Sequence, residues 1–247
     1  MASGKTIHFG QAFSEGWDAF KKNAGPAIAG YLIFLGIATA AGYILCIGTI
    51  AWFFFLIFPF WGGLTLFYLN IVKHKTPEIN DIFAGFRDFG KWLGVGWLKI
   101  LIFLGSMIPF VLSGTIAVVL YYLRQSAANS EPALSNGLIV GMVVSLLFGF
   151  LASAVIWTYF MIRYFFVYFT AAEGAGVLEA FGQSAEITRG VRLELFLASI
   201  ALALFTMAGM FLFIVGQYFT AMVAQTVYSA IYLDLKAQTF PEVNGER

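Results

Sequence analysis

Two basic residues inside long apolar runs are the residues of this sequence best placed to do chemistry. Lys99 and Arg163 each lie about 10–15 Å along the helix from the nearer end of a predicted span. Long basic side chains at that depth reach the headgroup layer and lay their stems along apolar surface. They could instead bind an anionic lipid headgroup at the inner leaflet, where Tyr159 would add an aromatic ring beside Arg163. The sequence allows both interpretations.

The other polar residues form no catalytic or metal-binding pattern. His8 and His74 are the two histidines, and neither has carboxylates at a spacing that would complete a metal site. Cys46 is the only cysteine, which excludes an intrachain disulfide. No acidic residue lies in the middle of a predicted span, where intramembrane proteases and proton-coupled pumps need one. We therefore expect no metal, no cofactor and no enzymatic activity.

The composition is that of an α-helical membrane protein. Of the 247 residues, 60% are hydrophobic and 11% charged, against about a quarter charged in soluble proteins. The apolar runs are 24–72, 92–123, 138–170 and 195–233. Because a span needs about 20 residues, the first and last runs each hold two spans, which predicts about six in all. We expect hairpins at 46–49 and near Gly216, and kinks at Gly62-Gly63 and Pro109.

Three short amphipathic segments, 9–22, 80–91 and 177–188, separate these runs. Each places aromatic or aliphatic residues on one helical face and charges on the others, which is typical of helices lying in the membrane interface. The alternative is that they are linker helices folded onto the spans. The predicted interfacial anchors are Phe13, Trp17, Phe20, Phe83, Phe86, Phe89 and Phe181.

The amphipathic segments also carry a repeated motif. Residues 16–20 (GWDAF) and 85–89 (GFRDF) are each followed by a lysine and a glycine at the same offsets, and Ala180-Phe181 keeps the small-aromatic pair. The chain is thus expected to be one membrane domain built from three units, 9–72, 80–170 and 177–236. Each unit would be an interfacial helix followed by a pair of spans.

The flanking charges predict the orientation. Basic residues near the ends of the spans fall almost entirely on one side of the six-span arrangement, and Arg124 is the exception. We therefore expect a multi-pass protein of the bacterial cytoplasmic (inner) membrane with both termini in the cytoplasm. The first two dozen residues carry charges and no apolar core, so no cleaved signal peptide is expected. The net charge of +1 gives no reason to expect a nucleic-acid partner.

The fourth predicted span has a ridge of small residues that would let another helix approach closely. Its partner would be another span of this chain or a different subunit, including a second copy. Gln225, in the sixth predicted span, is expected to hydrogen-bond between helices. The ridge consists of Gly137, Gly141, Ser145, Gly149 and Ser153.

Several motifs resemble those of a known family. Residues 13–23 (FSEGWDAFKKN), 59–64 (PFWGGL) with 81–86 (DIFAGF), and 179–184 (EAFGQS) with 220–234 are similar to a large group of uncharacterised bacterial six-helix membrane proteins. That group is related to the membrane domain of some glycerophosphodiester phosphodiesterases. The chain departs from it where Gln217 follows Gly216, since the group tends to have a proline there. The resemblance implies the topology and supplies no catalytic residues.

Two functions fit these features. The first is a non-catalytic scaffold or accessory subunit of an inner-membrane assembly, with membrane lipids and other subunits as partners. The second is a lipid- or small-solute-binding transporter with an anionic headgroup site at Lys99, Arg163 and Tyr159.

Overall fold

The computed structural model describes residues 4–43, 52–127 and 132–241, and every element in these ranges is helical. A π-helical turn (Trp52–Leu56) precedes the third helix, and 3-10 turns (Ala84–Phe86 and Gly209–Leu212) follow the fourth and tenth. The predicted hairpin at 46–49 lies outside the described residues. The helices are α1 (Phe9–Lys22), α2 (Ala24–Tyr43), α3 (Ile57–Val72), α4 (Asn80–Phe83), α5 (Phe89–Ser106), α6 (Ile108–Ala127), α7 (Pro132–Arg163), α8 (Val167–Ala172), α9 (Val177–Ile187), α10 (Arg192–Ala208) and α11 (Phe213–Thr239).

Within the residues that the structure describes, four stretches of helix are long and apolar enough to cross a membrane. A fifth is added if α1 and α2, which meet at 87°, count as one bent span. The all-α class is therefore confirmed, and the apolar helices are compatible with a multi-pass membrane protein, while the number six stays a prediction. The four stretches are Phe54–Val72, Phe89–Ser126, Leu134–Ala172 and Arg192–Phe211.

The chain divides into two compact units. Unit 1 comprises Met1–Gly96 and Ile162–Arg247, and unit 2 comprises Trp97–Met161.

In unit 1, α3 lies at the centre, with Phe67, Leu69 and Ile71 fully buried. Helix α3 is continuous through Gly62-Gly63, so the glycines do not break it. The glycines serve close packing instead. A Cβ on Gly62 would overlap the ring of Trp92, and one on Gly63 would overlap the carbonyl oxygen of Ile82.

Unit 2 is an antiparallel hairpin formed by the described parts of α5, α6 and α7. The first arm of the hairpin is interrupted at Met107, between α5 and α6. Pro109 follows two residues later, and its backbone nitrogen carries no hydrogen to donate to the helix. Contacts along the hairpin keep a constant antiparallel register. They are Phe103 with Trp157 (ring centroids 4.8 Å apart), the Phe110 amide donating to the Ser153 hydroxyl (3.1 Å), and Gly149 against Ser113.

The three amphipathic segments differ in their structure. The first and third are the single helices α1 and α9, as the periodicity predicted. The second is divided into α4, a 3-10 turn and the start of α5. Helix α1 packs its apolar face on α11, where Phe20 and Phe219 meet edge to face at 5.1 Å.

Candidate functional site

A cluster of charges joins the ends of three helices in unit 1. Glu173, directly after α8, accepts hydrogen bonds from the ammonium groups of Lys73, which follows α3, and of Lys236, in the last turn of α11. The Tyr232 hydroxyl donates to the same carboxylate at 2.5 Å. The side chains of Lys73, Glu173 and Lys236 are only 14%, 12% and 25% exposed. We call these four residues the ionic cluster.

The backbone brings Lys73 and Glu173 to equivalent positions. Each is the C-cap of its helix and is followed by a residue in the left-handed region, His74 (φ 55°) and Gly174 (φ 106°). The hydrogen bonds that end the two helices correspond one to one. The Lys75 amide donates to the Asn70 carbonyl at 3.0 Å, and the Ala175 amide donates to the Thr170 carbonyl at 3.2 Å. This is the closing bond of a Schellman-type helix end.

Electrostatics keep the carboxyl group of Glu173 ionised. Burial on its own raises the pKa of a carboxyl group. The hydrogen bonds from Lys236, Lys73 and Tyr232, with the charge of Lys73, outweigh burial and hold the pKa of Glu173 below its ordinary value. A further lysine supports the same helix end, since Lys91 donates to the Ala171 carbonyl at 3.1 Å.

An open cleft of about 360 Å³ lies beside the cluster and is lined by Thr170, Glu173, Gly174, Glu179, Gln183 and Lys236 among others. The carboxylate of Glu179 accepts from the Gly176 amide at 3.2 Å and caps α9. Among the described residues, no three side chains of the kinds that ligate metals lie close enough together to hold an ion. Glu173 makes two ion pairs, so the cluster can hold three helix ends together as long as that carboxylate is charged.

The predicted headgroup residues belong to different units. Arg163 ends α7 in unit 1. Its guanidinium lies 5.4 Å from the centre of the Tyr164 ring, and its carbonyl accepts from the Thr188 hydroxyl at 3.1 Å. Lys99, on α5, is half-buried in unit 2, and Tyr159, on α7, is 42% exposed there.

The ridge of small residues has two distinct parts within unit 2. Gly149 and Ser153 face α6, where a Cβ on Gly149 would overlap Ser113. A Cβ on Gly141 would lie 3.4 Å from the Leu120 side chain, and a Cβ on Gly137 would meet no atom within 4 Å. The Ser145 hydroxyl donates to its own helix, at the Met142 carbonyl.

Gln225, predicted to bond between helices, is half-buried in α11. Its backbone carbonyl accepts from the Ser229 hydroxyl at 2.9 Å.

The predicted anchors divide into buried and exposed residues. Phe20 (1% exposed) and Phe181 (7%) lie within the protein, and Phe13, Trp17 and Phe86 are partly buried against its core. Phe83 (39%) and Phe89 (36%) are exposed. Phe20 and Phe181 therefore contact protein. Phe83 and Phe89 are the predicted anchors whose side chains are most available to lipid.

Residues 21–239 match the model of the family described as "Protein of unknown function (DUF975)". The chain belongs to this DUF975 family. Comparisons with curated proteins and with solved structures found no match. The segment matched to DUF975 contains the whole ionic cluster and begins within α1.

Sequence reasoning missed Glu173. It is the only acidic residue between Glu131 and Glu179, and it follows the apolar run 138–170. Lys73 and Lys236 contributed only to the predicted orientation. Aligning the ends of the three predicted units, 9–72, 80–170 and 177–236, would have placed the three residues at corresponding positions. Lys236 lies almost as far after Ala180 as Lys73 lies after Gly16.

Proposed function

We propose that this protein is a non-catalytic scaffold or accessory subunit of an assembly in the bacterial cytoplasmic membrane. The observation that carries this proposal is the outward surface of unit 2. Large apolar side chains are exposed on its helices, among them Phe148 (73%), Val155 (70%) and Tyr122 (65%). In a membrane this surface must be covered by lipid or by another membrane protein.

Exposed glycines on the same hairpin support a protein partner. Gly105 and Gly137 are exposed, and a Cβ added to either would meet no atom within 4 Å. Helices associate in lipid mainly where small residues let their backbones approach, because apolar area alone gives no driving force there. Glycine is also a weak helix former, so lipid contact alone does not favour it at these positions.

The test is recovery of the full-length protein from native membranes in mild detergent, with quantitative mass spectrometry of what co-purifies. We expect a stoichiometric membrane subunit that is lost from the Gly105→Leu/Gly137→Leu variant. Val155→Leu, which changes an exposed residue without filling a small-residue surface, should retain it. Recovery of the wild type without a stoichiometric subunit, or equal loss from both variants, would refute the proposal.

The proposal includes six spans with both termini in the cytoplasm. Six spans are reached if α2 and α11 cross the membrane in addition to the four apolar stretches. The bias of basic residues supports the orientation. Reporter fusions test it: a fluorescent protein at either terminus should fluoresce, and alkaline phosphatase there should be inactive. Active phosphatase at either terminus would contradict the arrangement. The motifs shared with the membrane domain of glycerophosphodiester phosphodiesterases support a relationship, also as a proposal.

An alternative function is binding of an anionic lipid headgroup, or transport of such a lipid or of a small solute. One observation favours it: Arg163 is fixed at the break between α7 and α8, with its carbonyl held by Thr188. Native mass spectrometry should then show less anionic lipid on Arg163→Ala and on Lys99→Ala. Arg189→Ala, which removes an exposed cation after α9, should retain it. Equal lipid on all three variants would eliminate this alternative.

A further inference from the structure

In two of the three predicted units, the short helix packs on the last helix of the unit before. Helix α4 and its 3-10 turn lie on α3, where a Cβ on Gly85 would overlap the Pro59 carbonyl oxygen. Helix α9 lies on α8, and the Thr170 hydroxyl donates to the Ala180 carbonyl at 3.0 Å. Gly85 and Ala180 occupy the same position of the repeated motif.

The first repeat completes this pattern by packing on the third. Gly16, the motif residue of α1, faces α11 so closely that a Cβ would lie 2.7 Å from the Val227 amide nitrogen. We call the three contacts joint 1/2 (α4 on α3), joint 2/3 (α9 on α8) and joint 3/1 (α1 on α11). Within unit 1, the three short helices therefore close a cycle.

Joint 3/1 differs from the other two in its connection. At joints 1/2 and 2/3 the two helices are joined by a short stretch of chain, 73–79 and 173–176. At joint 3/1 the two helices are about 190 residues apart in the sequence, so no short connector joins them. Residues 4–8 lie where the other joints have a connector, and they bridge to α9, α10 and α11.

The bridging bonds of residues 4–8 come from side chains and backbone alike. Thr6 and Gln238 exchange two hydrogen bonds of 3.1 Å between backbone and amide side chain. The Ile7 amide donates to the Glu194 carboxylate at 2.7 Å, and the Lys5 ammonium donates to the Glu186 carbonyl at 2.8 Å. These bonds are solvent-exposed, so water competes for their donors and acceptors.

Joint 3/1 is also incompletely filled. A cleft of about 210 Å³ lies there between α1, α11 and the end of α3, lined by residues that include His8, Gln11, Ala12, Glu15 and Asp234. His8 Nδ1 is 3.8 Å from a carboxylate oxygen of Asp234, on the opposite wall.

We propose that residues 4–8 form a clasp that closes joint 3/1, and that this joint opens when the clasp is released. Joints 1/2 and 2/3 are restrained by covalent connectors as well as by packing. Joint 3/1 has exposed hydrogen bonds in place of a connector, in addition to the packing of α1 on α11, and these bonds can break and re-form without unfolding of the helices. The clasp is thus a conformational device of the fold. It does not depend on whether the protein acts as a scaffold or as a lipid-binding protein.

Cysteine accessibility tests the clasp in the full chain carrying Cys46→Ser. Ala12→Cys reports on joint 3/1, and Ala180→Cys is the matched control at joint 2/3, because these alanines are 4% and 0% exposed. The release variant is Glu194→Ala/Gln238→Ala. We expect it to raise the rate of maleimide labelling at position 12 by about tenfold or more, with the rate at position 180 unchanged. An equal change at both positions, or no change at either, would overturn the proposal.

Hydrogen exchange gives a second readout that needs no new cysteine. In the release variant the amides of Thr6 and Ile7 and those of α1 should exchange faster, while those of α9 keep the wild-type rate. Faster exchange throughout unit 1 would mean general destabilisation, and unchanged exchange in α1 would mean that the segment does not control the joint. Either result contradicts the clasp.

Discussion

We expect Glu173→Gln to destabilise unit 1 strongly, because the substitution removes the carboxylate shared by two largely buried ammonium groups. Removing one partner of a buried ion pair costs about 3–5 kcal/mol, most of it from the charge left unpaired. The cluster side chains keep 12–25% exposure, so water offsets part of this cost. We therefore expect a loss of about 2–4 kcal/mol in the free energy of unfolding, or about 5–15 °C in Tm for a chain of this size.

The assay is thermal unfolding of the detergent-solubilised full chain, followed by intrinsic fluorescence and far-UV circular dichroism. Glu15→Gln is the matched control, because Glu15 is exposed and accepts a hydrogen bond from Gln11, one turn away. Its Tm should stay close to that of the wild type. The double variant Glu173→Gln/Lys236→Met should recover part of the loss, since it removes one of the two stranded charges. A Tm of Glu173→Gln within 2 °C of the wild type, or no recovery in the double variant, would refute this account of the ionic cluster.

The pH dependence has a defined sign. The pKa of Glu173 is lower in the folded protein than its ordinary value, so folding favours the ionised form. Its contribution to stability is complete above the ordinary carboxyl pKa and is lost as the pH falls through the lowered folded value. The Tm difference between wild type and Glu173→Gln should therefore be constant near neutral pH and shrink in acid. A difference that grew in acid would contradict the assignment.

Three further predictions concern packing. Gly63→Ala should lower the free energy of unfolding by about 1–3 kcal/mol, because the added methyl group would overlap α4. Gly36→Ala should be neutral or slightly stabilising, because a Cβ there meets no atom within 4 Å. Equal Tm values for the two variants would contradict the close approach of α3 and α4. Phe20→Ala should cost about 3–5 kcal/mol if its ring is a core residue, and Phe83→Ala much less; the reverse order would favour a lipid anchor at Phe20. Gly149→Ala should lower the Tm more than Gly137→Ala, and equal effects would contradict the register of the hairpin in unit 2.

The helices themselves could be predicted from the sequence. The charge-free runs and the periodicity of 9–22 and 177–188 depend on local spacing alone, and the structure contains helices α1 and α9 at those places. The 80–91 segment was less predictable, because its division into two helices depends on the fit of Gly85 against α3. The role of Gly62-Gly63 was also hard to predict. The local sequence suggests a kink there, whereas the folded chain needs a small residue at position 62 because the Trp92 ring packs against it.

The candidate site was not predictable from spacing. Lys73, Glu173 and Lys236 are far apart in the chain, and each alone looks like an ordinary charge at the end of a helix. Their partnership depends on three helices ending at one place, which is a property of long-range packing. Phe20 likewise has the spacing of an interfacial residue, and only the position of α11 decides that its ring contacts protein.

The sequence by itself determined the class of this protein and its repeated motif. Its low charge and long apolar runs exclude a water-soluble surface, and helices are the structures that satisfy backbone hydrogen bonds within such runs. The tertiary structure alone decided which faces meet protein and which charges meet each other. In a sequence, apolar residues that contact lipid cannot be distinguished from apolar residues that contact protein. Three features are therefore visible only in the folded chain: the burial of α1, the joining of three helix ends by Glu173, and the placement of residues 4–8 across joint 3/1.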